Sequence, residues 1–134
     1  MATVQSFRDL RVWRSGMALV VAVYELTRIL PKSEVYGLSS QIQRAAVSVP
    51  ANIAEGHARH NLREYLHFLS IARASLAEVE TYLDLVPLLG YAPPERTRSL
   101  LDLAASVNKQ LIALRNSLTA RLQEEPLPYD SIAP

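Results

Sequence analysis

At 134 residues, 49% of them hydrophobic and 20% charged, the chain has room for one globular core and too few charges for a disordered segment. Its net charge of +1 excludes a strongly basic nucleic-acid coat, and its lack of cysteine excludes disulfides, thiolate metal sites and cysteine nucleophiles. The average hides a gradient: residues 1–73 hold nine Arg or Lys against five acids, and residues 74–134 hold five against eight. That bias could orient the molecule toward a polyanion. The longest apolar run, Met17 to Tyr24, is far short of a membrane span, and MATVQSFRDL carries charge where a signal peptide needs an apolar stretch. A cytoplasmic protein without membrane contact is the expectation.

Glycine occurs only at 16, 37, 56 and 90, so long uninterrupted segments remain, each patterned at helical period. A first helix is predicted from about Ser6 to Leu30. Leu10, Trp13, Met17, Val20, Tyr24 and Thr27 form its heptad seam, and Pro31 stops it. A second runs from about Glu34–Gly37 to Ala58 and buries Leu38, Ile42, Ala45, Val49 and Ile53. Pro50 lies inside it, removes the donor that Ala46 would have used, and predicts a bend without a break.

The third helix starts at Asn61, whose side chain three residues before Glu64 suits an N-cap, and ends at Gly90. It holds two apolar stripes. Leu62, Leu66, Leu69, Ala72, Leu76, Val79, Leu83 and Val86 make one; Tyr65, Phe68, Ser75, Tyr82, Leu85 and Leu89 make the other. The second stripe is either the flank of a wide core face or a self-association surface. Pro93-Pro94 opens the fourth helix, with Leu100, Ala104, Val107, Leu111, Leu114, Leu118 and Leu122 on its apolar face. The resulting expectation is an all-α antiparallel up-down-up-down four-helix bundle over 1–122, followed by a frayed tail over 123–134.

Catalytic chemistry finds little support. No glycine-flanked nucleophile or glycine-rich phosphate loop exists. His57, His60 and His67 lie close in sequence, and Glu64 with His67 has the i, i+3 spacing of di-iron bundles. A second such pair is missing, so the histidines read as solvated, and neither a metal, a cofactor nor an enzyme is expected.

Two polar patterns remain. Gln41, Arg44, Ser48, Asn52 and Glu55 share one stripe of the second helix. It is either a hydrogen-bonded seam that fixes register, with Arg44 reaching Glu78 and Glu55 reaching Arg63, or a ligand-contact strip. Arg8, Arg11 and Arg14 at the start of the first helix, and Arg59 and Arg63 in the second turn, are the candidate nucleic-acid contacts. They are expected at opposite ends of the bundle, as two small patches that an oligomer would multiply.

DLRVW at 9–13, YGLSSQIQRAAVSVPANIAEG at 36–56 and EYLHFLSIARASLAEVETYL at 64–83 resemble the bacterial four-helix-bundle proteins encoded in intervening sequences of large-subunit ribosomal RNA genes. That family includes the accessory variability protein of diversity-generating retroelements. The resemblance implies a homopentamer and, for the retroelement members, binding to nucleic acid and to a reverse transcriptase. Gln43-Arg44 stands where the family often has two arginines, and Ala74-Ser75 where glycine commonly precedes the serine. The combined expectation is an oligomeric adaptor that binds RNA or DNA weakly, with a protein-only scaffold as the alternative.

Overall fold

The computed structural model describes residues 4–124. They form four helices: α1 (Arg11–Thr27), α2 (Leu38–Ala58), α3 (Leu62–Leu88) and α4 (Pro94–Glu124), with 3-10 turns at Phe7–Asp9 and Lys32–Glu34. Each helix packs on its chain neighbours, and α1 closes on α4, which makes an all-α four-helix bundle. The expected tail from residue 125 onward lies outside the described residues; α4 itself reaches Glu124.

Local chemistry sets the boundaries. Asn61 accepts from the Glu64 N–H at 3.0 Å and starts α3. Gly90 ends it at φ 76°, where the Tyr91 N–H reaches back to the Val86 carbonyl at 3.0 Å. The start of the first helix differs from expectation. The Asp9 carboxylate accepts from the Gln5 and Ser6 N–H groups and closes a single 3-10 turn. Leu10 is then extended, with ψ 125°, and α1 begins only at Arg11. α2 is continuous through Pro50, which is buried.

The core contains the expected faces of α2, α3 and α4, including Ile42, Val49, Ile53, Leu69, Leu76, Leu83, Val107 and Leu111. On α1 the expected seam is off by one residue. Val12, Gly16, Leu19, Val23 and Leu26 are buried, whereas Met17 and Tyr24 are 41% and 44% exposed. One residue turns a helix face by about 100°. Both stripes of α1 are apolar, so the periodicity alone fits either. On the buried stripe Gly16 faces Pro50, where an added Cβ would make ordinary contact with the Pro50 Cβ at 3.4 Å.

Interhelical contacts run in opposite chain directions between α1 and α2 and between α2 and α3. On α1 and α2, Gly16 meets Pro50 and Thr27 accepts from Gln43 at 2.9 Å. Between α2 and α3, Tyr82 donates to Gln41 at 3.5 Å, Ser48 bonds Ser75 at 2.8 Å, and Gly56 faces Tyr65 and Phe68. Gln110 of α4 donates to Ser15 of α1 at 3.1 Å. Most of the second stripe of α3 is therefore engaged within the protomer: Tyr65 and Ser75 are buried, and Phe68 and Tyr82 are half-buried against α2, whereas Leu89 is exposed.

Candidate nucleic-acid interface

The arginines are gathered at one end of the bundle. Val4 and Leu10 from the N-terminal segment, residues 57, 59–63 and 65 from the α2–α3 turn, and Leu114, Leu118, Arg121 and Leu122 of α4 line a common cleft of about 650 Å³. This corrects the expectation of opposite ends. A chain that runs up α1 and back along α2 returns to its starting end, so the second turn lies beside the first residues of α1. The last turns of α4 arrive there as well.

Charge follows from that arrangement. Residues 4–14, 52–66 and 114–124 carry Arg8, Arg11, Arg14, Arg59, Arg63, Arg115 and Arg121 against Asp9, Glu55, Glu64 and Glu124. The remaining described residues carry seven of each sign. The bias seen as a gradient between chain halves is, in three dimensions, a positive end on an otherwise balanced bundle. Of the four acids, Asp9 is taken up by backbone N–H groups and Glu55 pairs with Arg59 at 3.1 Å.

Arg8, Arg11, Arg14, Arg59, Arg63 and Arg121 are all exposed. Arg8 lies over the Phe7 ring at 4.5 Å, and Arg59 over the Phe68 ring at 4.9 Å. Such stacking holds a guanidinium in place without consuming its donors. Trp13 is half-buried against the core, with its ring edge-on to Phe7 at 5.2 Å, so it is not presented as a stacking platform. Arg115 and Arg121 were not among the sequence candidates. Their signal was available, since four helices of alternating direction bring the end of the fourth to the start of the first.

Tyr65 is the unusual group at this end. Tyr65 lines the cleft and is 8% exposed, and its hydroxyl is buried without a hydrogen-bond partner among the described residues. Burial pushes the phenol up to about 12, partly offset by the positive charge of Arg121. His57 stands edge-on to this ring at 6.0 Å, and His60 lines the cleft beside it. His67 instead packs edge-on to Phe68 at 5.7 Å. Among the described residues no three His, Asp or Glu side chains are grouped as metal ligands.

The polar stripe of α2 is bonded at its centre. Asn52 Nδ2 donates to the Ser48 carbonyl and to Ser48 Oγ, both at 2.8 Å, and Ser48 bonds Ser75 across the helix pair. Its ends depart from expectation. Glu55 pairs with Arg59 one turn along its own helix rather than with Arg63. Arg44 and Glu78 are exposed and make no ion pair within 4 Å; among the described residues Arg59–Glu55 is the sole one. The register explains the correction. With Gln41 level with Tyr82 and Ser48 level with Ser75, Arg44 lies level with the buried Val79. An exposed pair held across that offset would gain at most about 1 kcal/mol.

Arg44 lines a shallow groove with Tyr24, Ser40, Gln43, Val47 and Ser48. Met17, Val21 and Tyr24 of α1 and Val47 of α2 leave exposed apolar surface along this side. At the end opposite the arginines, Val35, Tyr36, Leu88 and Leu89 are exposed. There the Glu34 carboxylate accepts from the Leu38 N–H at 2.9 Å and the Tyr91 hydroxyl at 2.6 Å, tying the α1–α2 connection to the α3–α4 connection. Both bonds hold the Glu34 carboxyl below its usual range, with the backbone bond first. No helix among the described residues is long and apolar enough to cross a membrane.

No curated protein matches the chain. A solved structure of a protein of unknown function from the S23 ribosomal protein family of Bacteroides thetaiotaomicron superimposes with a TM-score of 0.72 at 26% identity. The match covers 78% of this chain and 97% of that one. A family model described as 23S rRNA-intervening sequence protein matches residues 8–113. Since that match spans most of the bundle, from the first arginine of the positive end into α4, the chain belongs to the 23S rRNA-intervening sequence protein family.

Proposed function

We propose that this protein is a non-enzymatic, oligomeric adaptor whose arginine-rich end binds RNA or DNA weakly and without a sequence code. The observation that carries the reading is the convergence of seven arginines from three chain segments on one end. Guanidinium groups fit phosphate oxygens bidentately, and exposed cations read a phosphate backbone rather than bases. Oligomerisation would multiply the end; five copies is the number that the resemblance implies. The apolar side along α1 and α2 is the surface that supports self-association.

Fluorescence anisotropy with labelled RNA and DNA tests the reading. An end that engages about six to ten phosphates loses roughly 10³–10⁵ in affinity between 50 and 200 mM salt. Because both arginine groups share one end, charge reversal at Arg11 and Arg14 and reversal at Arg59 and Arg63 are each expected to weaken binding. Absence of binding to either polymer at about 50 mM salt would sink the adaptor reading.

A protein-only scaffold is the second reading. It is favoured by Val35, Tyr36, Leu88 and Leu89 at the end remote from the arginines, where Tyr36 is 96% exposed. In an adaptor the same apolar end would serve the protein partner, such as the reverse transcriptase that the resemblance implies.

A further inference from the structure

The cleft at the arginine end has a chemistry that phosphate contacts alone do not use. Leu10, Leu62, Leu114 and Leu118 supply an apolar floor, and Arg63 and Arg121 stand at its rim with no ion-pair partner among the described residues. Asn61, Leu62 and Arg63 are cleft residues too, so the positive end of the 27-residue α3 faces it. Its volume of about 650 Å³ falls within the roughly 300–1,000 Å³ of small-ligand sites. Tyr65 lines the cleft as well, and its buried hydroxyl has, among the described residues, no partner of the kind a buried polar group ordinarily has.

An occupant must therefore combine three properties: an anionic group for the rim, a body with apolar faces for the leucine floor, and a polar edge for the phenol. A fatty acid has no such edge, and inorganic phosphate has no body. A nucleotide has all three. In a duplex the base is stacked and its edge is paired, so only an unstacked nucleotide can offer them together.

We propose that this cleft takes up a single unstacked nucleotide, with its phosphate at Arg63 and Arg121, its base over the leucine floor, and a base-edge hydrogen bond to Tyr65. The proposal rests on the reading of this end as a nucleic-acid surface and adds a preference for single strands. The nucleotide could be free or part of an RNA strand, and the experiment separates the two.

The full chain is titrated at about 50 mM salt with AMP, GMP, CMP and UMP, with single-stranded oligoribonucleotides, and with an RNA duplex of equal charge. Single strands are expected to bind about tenfold more tightly than the duplex. Tyr65→Phe, which removes one hydrogen-bonding group from a buried position, is expected to weaken single-strand binding by about tenfold and leave duplex binding unchanged. Arg121→Gln, an exposed change that leaves the core intact, is expected to weaken both. Mononucleotides that bind and then compete with the single strand place both in one site. Mononucleotides that bind with Tyr65 dependence while no polymer binds identify a free-nucleotide site and overturn the adaptor reading alone. Equal, Tyr65-independent binding of single strand and duplex overturns the cleft proposal and leaves the adaptor reading standing. No binding of any of these ligands overturns both.

Discussion

Tyr65 and Glu34 sit at opposite ends of the bundle and give it opposite responses to pH. Burial disfavours the Tyr65 phenolate, so the folded-state value of about 12 exceeds the unfolded value near 10. A raised value leaves its stabilisation intact below pH 10 and removes it as pH rises through 12. The loss amounts to about 2 kcal/mol by pH 12. Urea midpoints between pH 8 and 12 are expected to fall more steeply for the native chain than for Tyr65→Phe, because phenylalanine cannot ionise. At pH 8 that variant is expected to be neutral or more stable by about 1 kcal/mol, since an unsatisfied buried hydroxyl has been removed. Equal slopes would mean that water reaches the hydroxyl readily. Glu34 runs the other way. Its lowered value gives stability that is present above the ordinary carboxylate pKa and lost as pH falls through the folded one. Glu34→Gln is expected to flatten the acid limb of a denaturation profile, and to soften the alkaline limb too, because the Glu34 carboxylate is what holds the Tyr91 phenol up.

Helix faces were legible wherever one apolar stripe stood against a polar back, as with Ile42, Val49 and Ile53 on α2 and Val107 and Leu111 on α4. They were ambiguous on α1, where two apolar stripes one residue apart satisfy the same 3–4 spacing. The choice between them is made by packing on the partner helix, with Gly16 set against Pro50, and such a contact has no period. Gly56 marks a second and tighter approach. A Cβ there would come within 2.9 Å of both Phe68 Cβ and Tyr65 Cδ1, whereas at Gly16 it would find ordinary contact at 3.4 Å. These distances predict opposite outcomes for one substitution. Gly16→Ala is expected to stabilise by up to about 1 kcal/mol through helix propensity. Gly56→Ala is expected to destabilise by about 1–3 kcal/mol, because α2 and α3 must part at the edge of the cleft. Thermal unfolding of the two variants checks this, and similar shifts of the same sign would refute it. The ion pairs were less legible than the faces. Spacing along α2 gave the stripe, but which cation meets which carboxylate depends on a register set by Ser48 and Ser75.

The whole molecule is polarised in two ways that no single helix shows. Arginine is concentrated at one end, apolar side chains are exposed at the other, and a further apolar strip runs along α1 and α2. The positive end was half legible. Its N-terminal and turn arginines were picked out by composition, but their union with Arg115 and Arg121 follows only from the path of four helices. The strip bears on assembly. Tyr65 and Ser75 of the second stripe of α3 are spent inside the protomer, so the apolar surface left along this side is that of Met17, Val21, Tyr24 and Val47, each more than 40% exposed. Burying one large apolar side chain contributes about 1.5–3 kcal/mol, so a contact that repeats this strip around a closed ring has enough apolar area to hold copies together. Light scattering is expected to give more than one chain mass at micromolar concentration. Val21→Glu and Val47→Glu place charges in the strip and are expected to give monomers with unchanged helix content, because both side chains are already in water in the single chain. Leu89→Glu, at the apolar end, is expected to leave the mass unaltered. If salt sensitivity of RNA binding survives in the Val47→Glu monomer but overall affinity falls, the ring acts by repeating a weak positive end. If the native chain itself scatters as a single copy, the strip is a surface for a different protein, and the seven arginines of one bundle must account for any polyanion binding alone.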